Sequence, residues 1–120
     1  MDTIAFNAAE ESVAQLVEQF YDRIRADERL GSIFNAAVSD WDVHMKVMRD
    51  FWSAVLLGTD RYHGCVMSSH FGLPLVASDL DRFLELFRPT ANETLPPDLA
   101  TRAIAAAESV TQGLRRMVRS

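Results

Sequence analysis

Apolar residues recur at intervals of three and four along most of this chain, and no segment sustains a strict apolar–polar alternation. That period predicts helices throughout and an all-α fold. Val13, Leu16, Val17, Phe20, Tyr21 and Ile24 form the first stripe, on a helix predicted to begin near Asn7, a capping residue type with Glu10 three positions on. Residues 27–31 break the pattern, and Ile33 and Phe34 read as a short apolar connector. A second long helix is predicted from Ser39, with Asp42 as its capping partner. It carries Trp41, His44, Met48, Phe51, Trp52 and Val55 on one face, and Gly58 ends it.

Residues 58–66 read as loop, followed by a short helical turn over 67–71 that holds His70 and stops at Pro74. Ser78 with Asp81 is expected to cap a third long helix, with Leu80, Phe83, Leu84 and Phe87 as its core face. Pro89 is expected to kink or end that helix, because it removes a backbone donor. Pro96-Pro97 is a firm break, with Pro97 suited to a first helical position. The last helix is expected to run to the C-terminus on a stripe of Leu99, Ala103, Ala106, Val110, Leu114 and Met117. Its small residues suit close approach by another helix.

The chain's 120 residues suit one domain spanning 1–120, large enough to bury a core without staples. Twelve Lys and Arg against 17 Asp and Glu leave a formal charge of −5, which disfavours a nucleic-acid partner. The Arg115, Arg116 and Arg119 run is too short for a polyanion site and suits the negative end of a terminal helix. Apolar runs such as residues 54–57 are too short to span a bilayer, so no membrane partner is expected. A single cysteine, Cys65, excludes an internal disulfide and fits a reducing compartment. The start of the chain lacks the basic and apolar regions of a secretory leader, so a cytoplasmic location is expected. GxGxxG, GxxxxGK, CxxC and HExxH are all absent, which removes enzyme classes built on those motifs.

Three residues stand out chemically. His70 lies on the short turn, His44 shares a helix face with Met48 and Phe51, and Tyr21 borders the first apolar stripe. Each taken singly has a bland reading: a half-buried histidine, a core histidine with a partner, and a core tyrosine whose hydroxyl reaches water. Two histidines around a pocket rich in Phe, Met and Trp are also what a haem iron needs, one as ligand and one facing a bound gas.

Their sequence context favours the second view. Phe20-Tyr21, then Leu30-Gly31-Ser32-Ile33-Phe34-Asn35, then Asp40-Trp41-Asp42-Val43-His44, then Phe51-Trp52 with Leu56-Leu57-Gly58 occur in order. Arg61-Tyr62, Gly64, Met67 and His70 follow. Together they resemble the truncated haemoglobins, and more narrowly their third group, since the Gly-Gly pairs of the other groups are missing. The resemblance implies a shortened globin fold, a two-over-two helical sandwich around one haem b. It implies His70 as the iron ligand and Tyr21 and His44 as distal residues. Phe34 would pack on the porphyrin. Met48, Phe51 and Trp52 would line the distal side, Arg61 and Tyr62 would lie near the propionates, and Met67 and Phe83 would complete the cofactor-binding set. Phe83 stands where the group usually has tryptophan, Cys65-Val66 where it often has a small polar residue and a proline, and Pro89 is unusual in its helix.

The implied function is binding of a diatomic gas, oxygen first, with nitric oxide and carbon monoxide as further ligands. Redox turnover with nitric oxide or peroxide would require an unidentified reductase, because the chain has no flavin or nicotinamide motif. The alternatives are a storage or sensing module without turnover and a helical interaction domain without haem. Cys65 is expected to be a free thiol rather than an iron ligand.

Overall fold

A computed structural model describes residues 2–64 and 73–118. They form five helices: α1 (Thr3–Ala26), α2 (Glu28–Ala37), α3 (Trp41–Leu57), α4 (Ala77–Thr94) and α5 (Pro97–Arg115). Helix α1 packs on α3 and α4 packs on α5. The two pairs lie across one another through the α1–α4 and α3–α5 contacts, giving two helices over two. Helix α2 is short and bridges α1 and α4. No described helix is long and apolar enough to cross a membrane.

Aromatic rings hold the layers together. Phe87 of α4 is fully buried, with Phe20 of α1 edge-on at 5.0 Å and Trp52 of α3 stacked at 5.1 Å. Phe83 meets Phe20 edge-on at 4.8 Å. These edge-to-face geometries place the positive rim of one ring on the negative face of the next. Helix α5 approaches through the buried small residues Ala100, Ala103 and Ala107. Its expected stripe holds at Leu99, Ala103 and Leu114 but not at Met117, which is 50% exposed. Thr111 is buried in its place on the inward face.

Several helix ends differ from expectation. Helix α1 starts one turn early because Asp2, not Asn7, caps it, its carboxylate accepting from the Ala5 N–H at 2.7 Å. The expected connector is helix α2. Asp27 ends α1 and caps α2, with its carboxylate accepting from the Leu30 N–H at 3.0 Å. Leu30, Ile33 and Phe34 then give α2 a short buried face. Helix α3 is capped by Asp40 rather than Ser39, since Asp40 reaches two N–H groups, those of Asp42 and Val43. Gly58 ends α3 in the left-handed conformation, φ 72°, as expected. At the start of α4, Asp79 does the work expected of Ser78 and Asp81 by accepting from the Val76 N–H at 2.9 Å. Asp81 instead pairs with Arg115 at 2.6 Å. Pro97 is the first residue of α5, as expected.

Helix α4 passes through Pro89 without ending. The carbonyl that loses its donor belongs to Glu85, and both residues are exposed, so water can serve it. The next turn is tied on its buried side. Thr90 donates to the Leu86 carbonyl at 2.7 Å and accepts from Arg23 of α1 at 2.5 Å.

Two carboxylates fasten α2 to its neighbours. Burial opposes ionisation of Asp79, but the forked Arg29 guanidinium, at 3.0 and 3.1 Å, and the Val76 N–H outweigh it. The carboxyl is held below its ordinary 3.8. The Leu30 N–H, and then the Arg82 guanidinium at 2.7 Å, likewise lower Asp27.

Two predictions follow from these contacts. A β-carbon on Gly31 would stand 2.5 Å from the Arg25 carbonyl oxygen, a backbone atom that cannot swing aside. Gly31→Ala is expected to cost on the order of 2 kcal/mol in denaturant unfolding. Asp79→Asn is expected to cost about 1–3 kcal/mol at neutral pH. Because the native carboxyl is lowered, its contribution is complete above pH 3.8 and disappears as pH falls through the lower native value. The difference between Asp79→Asn and wild type should therefore narrow in acid, as urea midpoints at both pH values would show.

Candidate functional site

The sandwich leaves a crevice of about 390 Å³ between the end of α1, the α2–α3 junction and α3. Tyr21, Phe34 and Met48 form its inner wall. Behind them lies a second, smaller hollow of about 40 Å³, which those three residues share with Phe51, Trp52 and Phe83 and with Val110 and Thr111 of α5. The outer wall of the crevice holds Val43 and Val47 of α3, opposite Tyr62 and Leu73. Val43 is 59% exposed and Val47 42%, so among the described residues the crevice presents an uncovered apolar rim.

Tyr21 and His44 face this largely apolar space, whose wall also includes the polar Ser39, Asp40 and Tyr62. Tyr21 is delivered by the last third of α1 and His44 by the first turn of α3, and their rings meet edge-on at 5.1 Å. The Nε2 nitrogen of His44 is buried. Trp41 stands edge-on to His44 at 5.3 Å. It is fixed from outside by Arg25, whose guanidinium lies 4.6 Å over the ring, and by its own N–H donating to Asn35 at 3.2 Å. Burial pushes the Tyr21 phenol well above its ordinary 10.0, so it remains a protonated donor across physiological pH. Tyr21 lines both the crevice and the inner hollow, so a guest in that space can meet its phenol.

The structure thus gathers Tyr21, Phe34, His44, Met48 and Tyr62 around one crevice. It sets Phe51, Trp52 and Phe83 one layer deeper, around the inner hollow. Arg61 is engaged away from the crevice lining. Its guanidinium turns to Glu10, Asp50 and Ser53 and is not part of the crevice wall, because two carboxylates and a buried hydroxyl take up its donors. Met67 and His70, and with them the expected iron ligand, lie outside the described residues, as does Cys65. Among the described residues no group of three metal-ligating side chains converges. Val43, Val47 and Trp41 were not singled out as site residues. The signal was present: Val43 and Val47 flank His44 and Met48 and make the apolar face of α3 wider than its core contact needs.

The family model for bacterial-like globins matches residues 6–114. The chain belongs to that family. This globin is 29% identical over 114 residues to a group 3 truncated haemoglobin of Campylobacter jejuni, a match covering 91% of this chain and 90% of that protein. A crystal structure of the group III truncated haemoglobin from Campylobacter jejuni superposes with a TM-score of 0.83 at 30% identity. That match covers 92% of this globin and 91% of the other chain. The resemblance to the third group therefore extends along nearly the whole globin, and its five helices follow the truncated form of the fold.

The sequence has two tyrosines, Tyr21 and Tyr62. In a Tyr62→Phe variant only Tyr21 can titrate, and the folded globin is expected to show no phenolate absorbance up to about pH 11. Since burial raises the native value, stability from the neutral phenol is complete below pH 10 and is lost as pH rises toward that value. Phenolate should appear together with the unfolding signal in an alkaline titration, not before it.

Proposed function

We propose that this globin binds haem b in the crevice, with His70 as the iron ligand, and holds a diatomic gas beside Tyr21 and His44. The observation that carries this reading is the crevice itself: a large apolar space with an uncovered valine rim and two polar groups grouped at its inner end. That combination fits a broad, flat, apolar macrocycle. Phe34 and Met48 offer flat and polarisable contact, and the valines offer apolar edge. Bound there, haem supplies a ferrous iron able to take oxygen, nitric oxide or carbon monoxide.

The chain's own residues do the rest. Phe34, Met48 and the valine rim exclude water, which strengthens any hydrogen bond formed inside. The Tyr21 hydroxyl donates to the partly negative end of a gas molecule lodged at the inner wall. Its rotation is limited by Phe20 on one side, at 5.1 Å, and His44 on the other. His44 is a second donor, oriented by Trp41. Phe83 has no N–H to add, and its ring lies against Phe20 at the inner hollow, so the donors of this reading are Tyr21 and His44 alone. Oxygen is the first ligand of this reading. Turnover with nitric oxide or peroxide needs electrons from a separate reductase. A cytoplasmic setting belongs to the same proposal, since one cysteine suits a reducing compartment.

An absorption spectrum of the protein reconstituted with haem tests the reading directly: a strong Soret band with one equivalent bound supports it, and no uptake overturns it. His70→Ala is expected to lose most haem retention, whereas His44→Ala keeps it, as haem content after purification will report. Tyr21→Phe is expected to raise the oxygen dissociation rate about tenfold, equivalent to about 1.4 kcal/mol, in a stopped-flow measurement.

A further inference from the structure

We infer that Arg61 is a positioning residue, latched to helix α1 so that Tyr62 stands as a fixed wall of the crevice and slows escape of the haem. The inference rests on the haem reading above.

The segment after α3 has no regular structure from Thr59 to Gly64, yet one side of it is fastened firmly. At the centre is the Ser53 hydroxyl of α3, fully buried. It donates to Glu10 of α1 at 3.1 Å, accepts from Thr59 at 2.9 Å and accepts from Arg61 at 2.7 Å. One donor and two acceptors are all a serine hydroxyl has, so the group is saturated. Arg61 also donates to Glu10 at 2.5 Å and faces Asp50 at 3.5 Å. Exposed ion pairs taken singly contribute little. Here the members share a buried hydroxyl, so loss of Glu10 or Arg61 leaves Ser53 one bond short and loosens the rest.

The next residue along the chain is Tyr62. Its ring lines the crevice and meets Phe51 edge-on at 5.2 Å. On its other side Gly64 comes so close that a β-carbon there would lie 2.8 Å from the Tyr62 hydroxyl. Contact with Phe51, the close approach of Gly64 and the latch one residue away together restrict where the ring stands. Arg61 therefore acts on the haem through Tyr62, and not by pairing with the haem carboxylates.

Transfer of haem from the ferric protein to an excess of apomyoglobin separates the two roles. Glu10→Ala and Arg61→Leu are each expected to speed haem loss about tenfold, and the double variant no more than either alone. Unfolding midpoints should stay within about 2 °C of wild type. The same acceleration is expected with haem dimethyl ester, whose carboxylates are blocked. Additive effects, an unchanged rate in Glu10→Ala, or an Arg61→Leu effect that vanishes with the ester would each overturn the latch. A wild-type chain that takes up no haem overturns the proposed function instead. In that event tryptic cleavage after Arg61 in the haem-free protein still decides, faster in Glu10→Ala if the latch holds and unchanged if it does not.

Discussion

The rest of the structure depends on the contact of Phe87 with Phe20 and Trp52. A chain of 120 residues has a small interior, and this one gives part of that interior to a hollow space. Three helices must therefore be tied at one point strongly enough to leave a gap beside it. Phe87 is fully buried where α1, α3 and α4 meet, and its two ring contacts fix the spacing of both helical layers. The crevice opens on the side of this knot where Tyr21 follows Phe20 along α1. The ring that holds the fold and the ring that faces the guest are neighbours in sequence and in contact at 5.1 Å.

Much of this arrangement was readable from spacing. The long stripes of α1, α3 and α4 are strong signals because large side chains repeat over several turns, and the αL glycine at 58 and the proline opening α5 are local rules that hold. What escaped the sequence reading is short or depends on partners. Helix α2 has three large apolar residues over ten positions, too few for a period to stand out. Pro89 reads as a break, but its unserved carbonyl faces solvent and Thr90 secures the following turn from α1. Capping residues compete at short range: Asp2, Asp40 and Asp79 prevailed over Asn7, Ser39 and Ser78 because each carboxylate reaches a free N–H.

The candidate site divides along the same line. Tyr21, Phe34, His44, Met48 and Tyr62 come together because they sit on regular faces or next to them. The order of residue types identified the third truncated group before any contact was known, and the comparisons with known proteins agree. Arg61 could not be placed this way. A long cation goes to the nearest carboxylates, and Glu10 is 51 positions distant in the chain. His70 belongs to the part of the reading that rests on the resemblance alone.

The double use of Asp27 has a consequence for how this chain can vary. One residue closes α1 through its N–H and opens α2 through its carboxylate, so no spare position lies between the two helices. Each residue advances a helix by about 100°. An insertion or deletion at this junction would turn α2 about its axis, carry Phe34 off the crevice wall and swing Gly31 away from its seat on the Arg25 carbonyl.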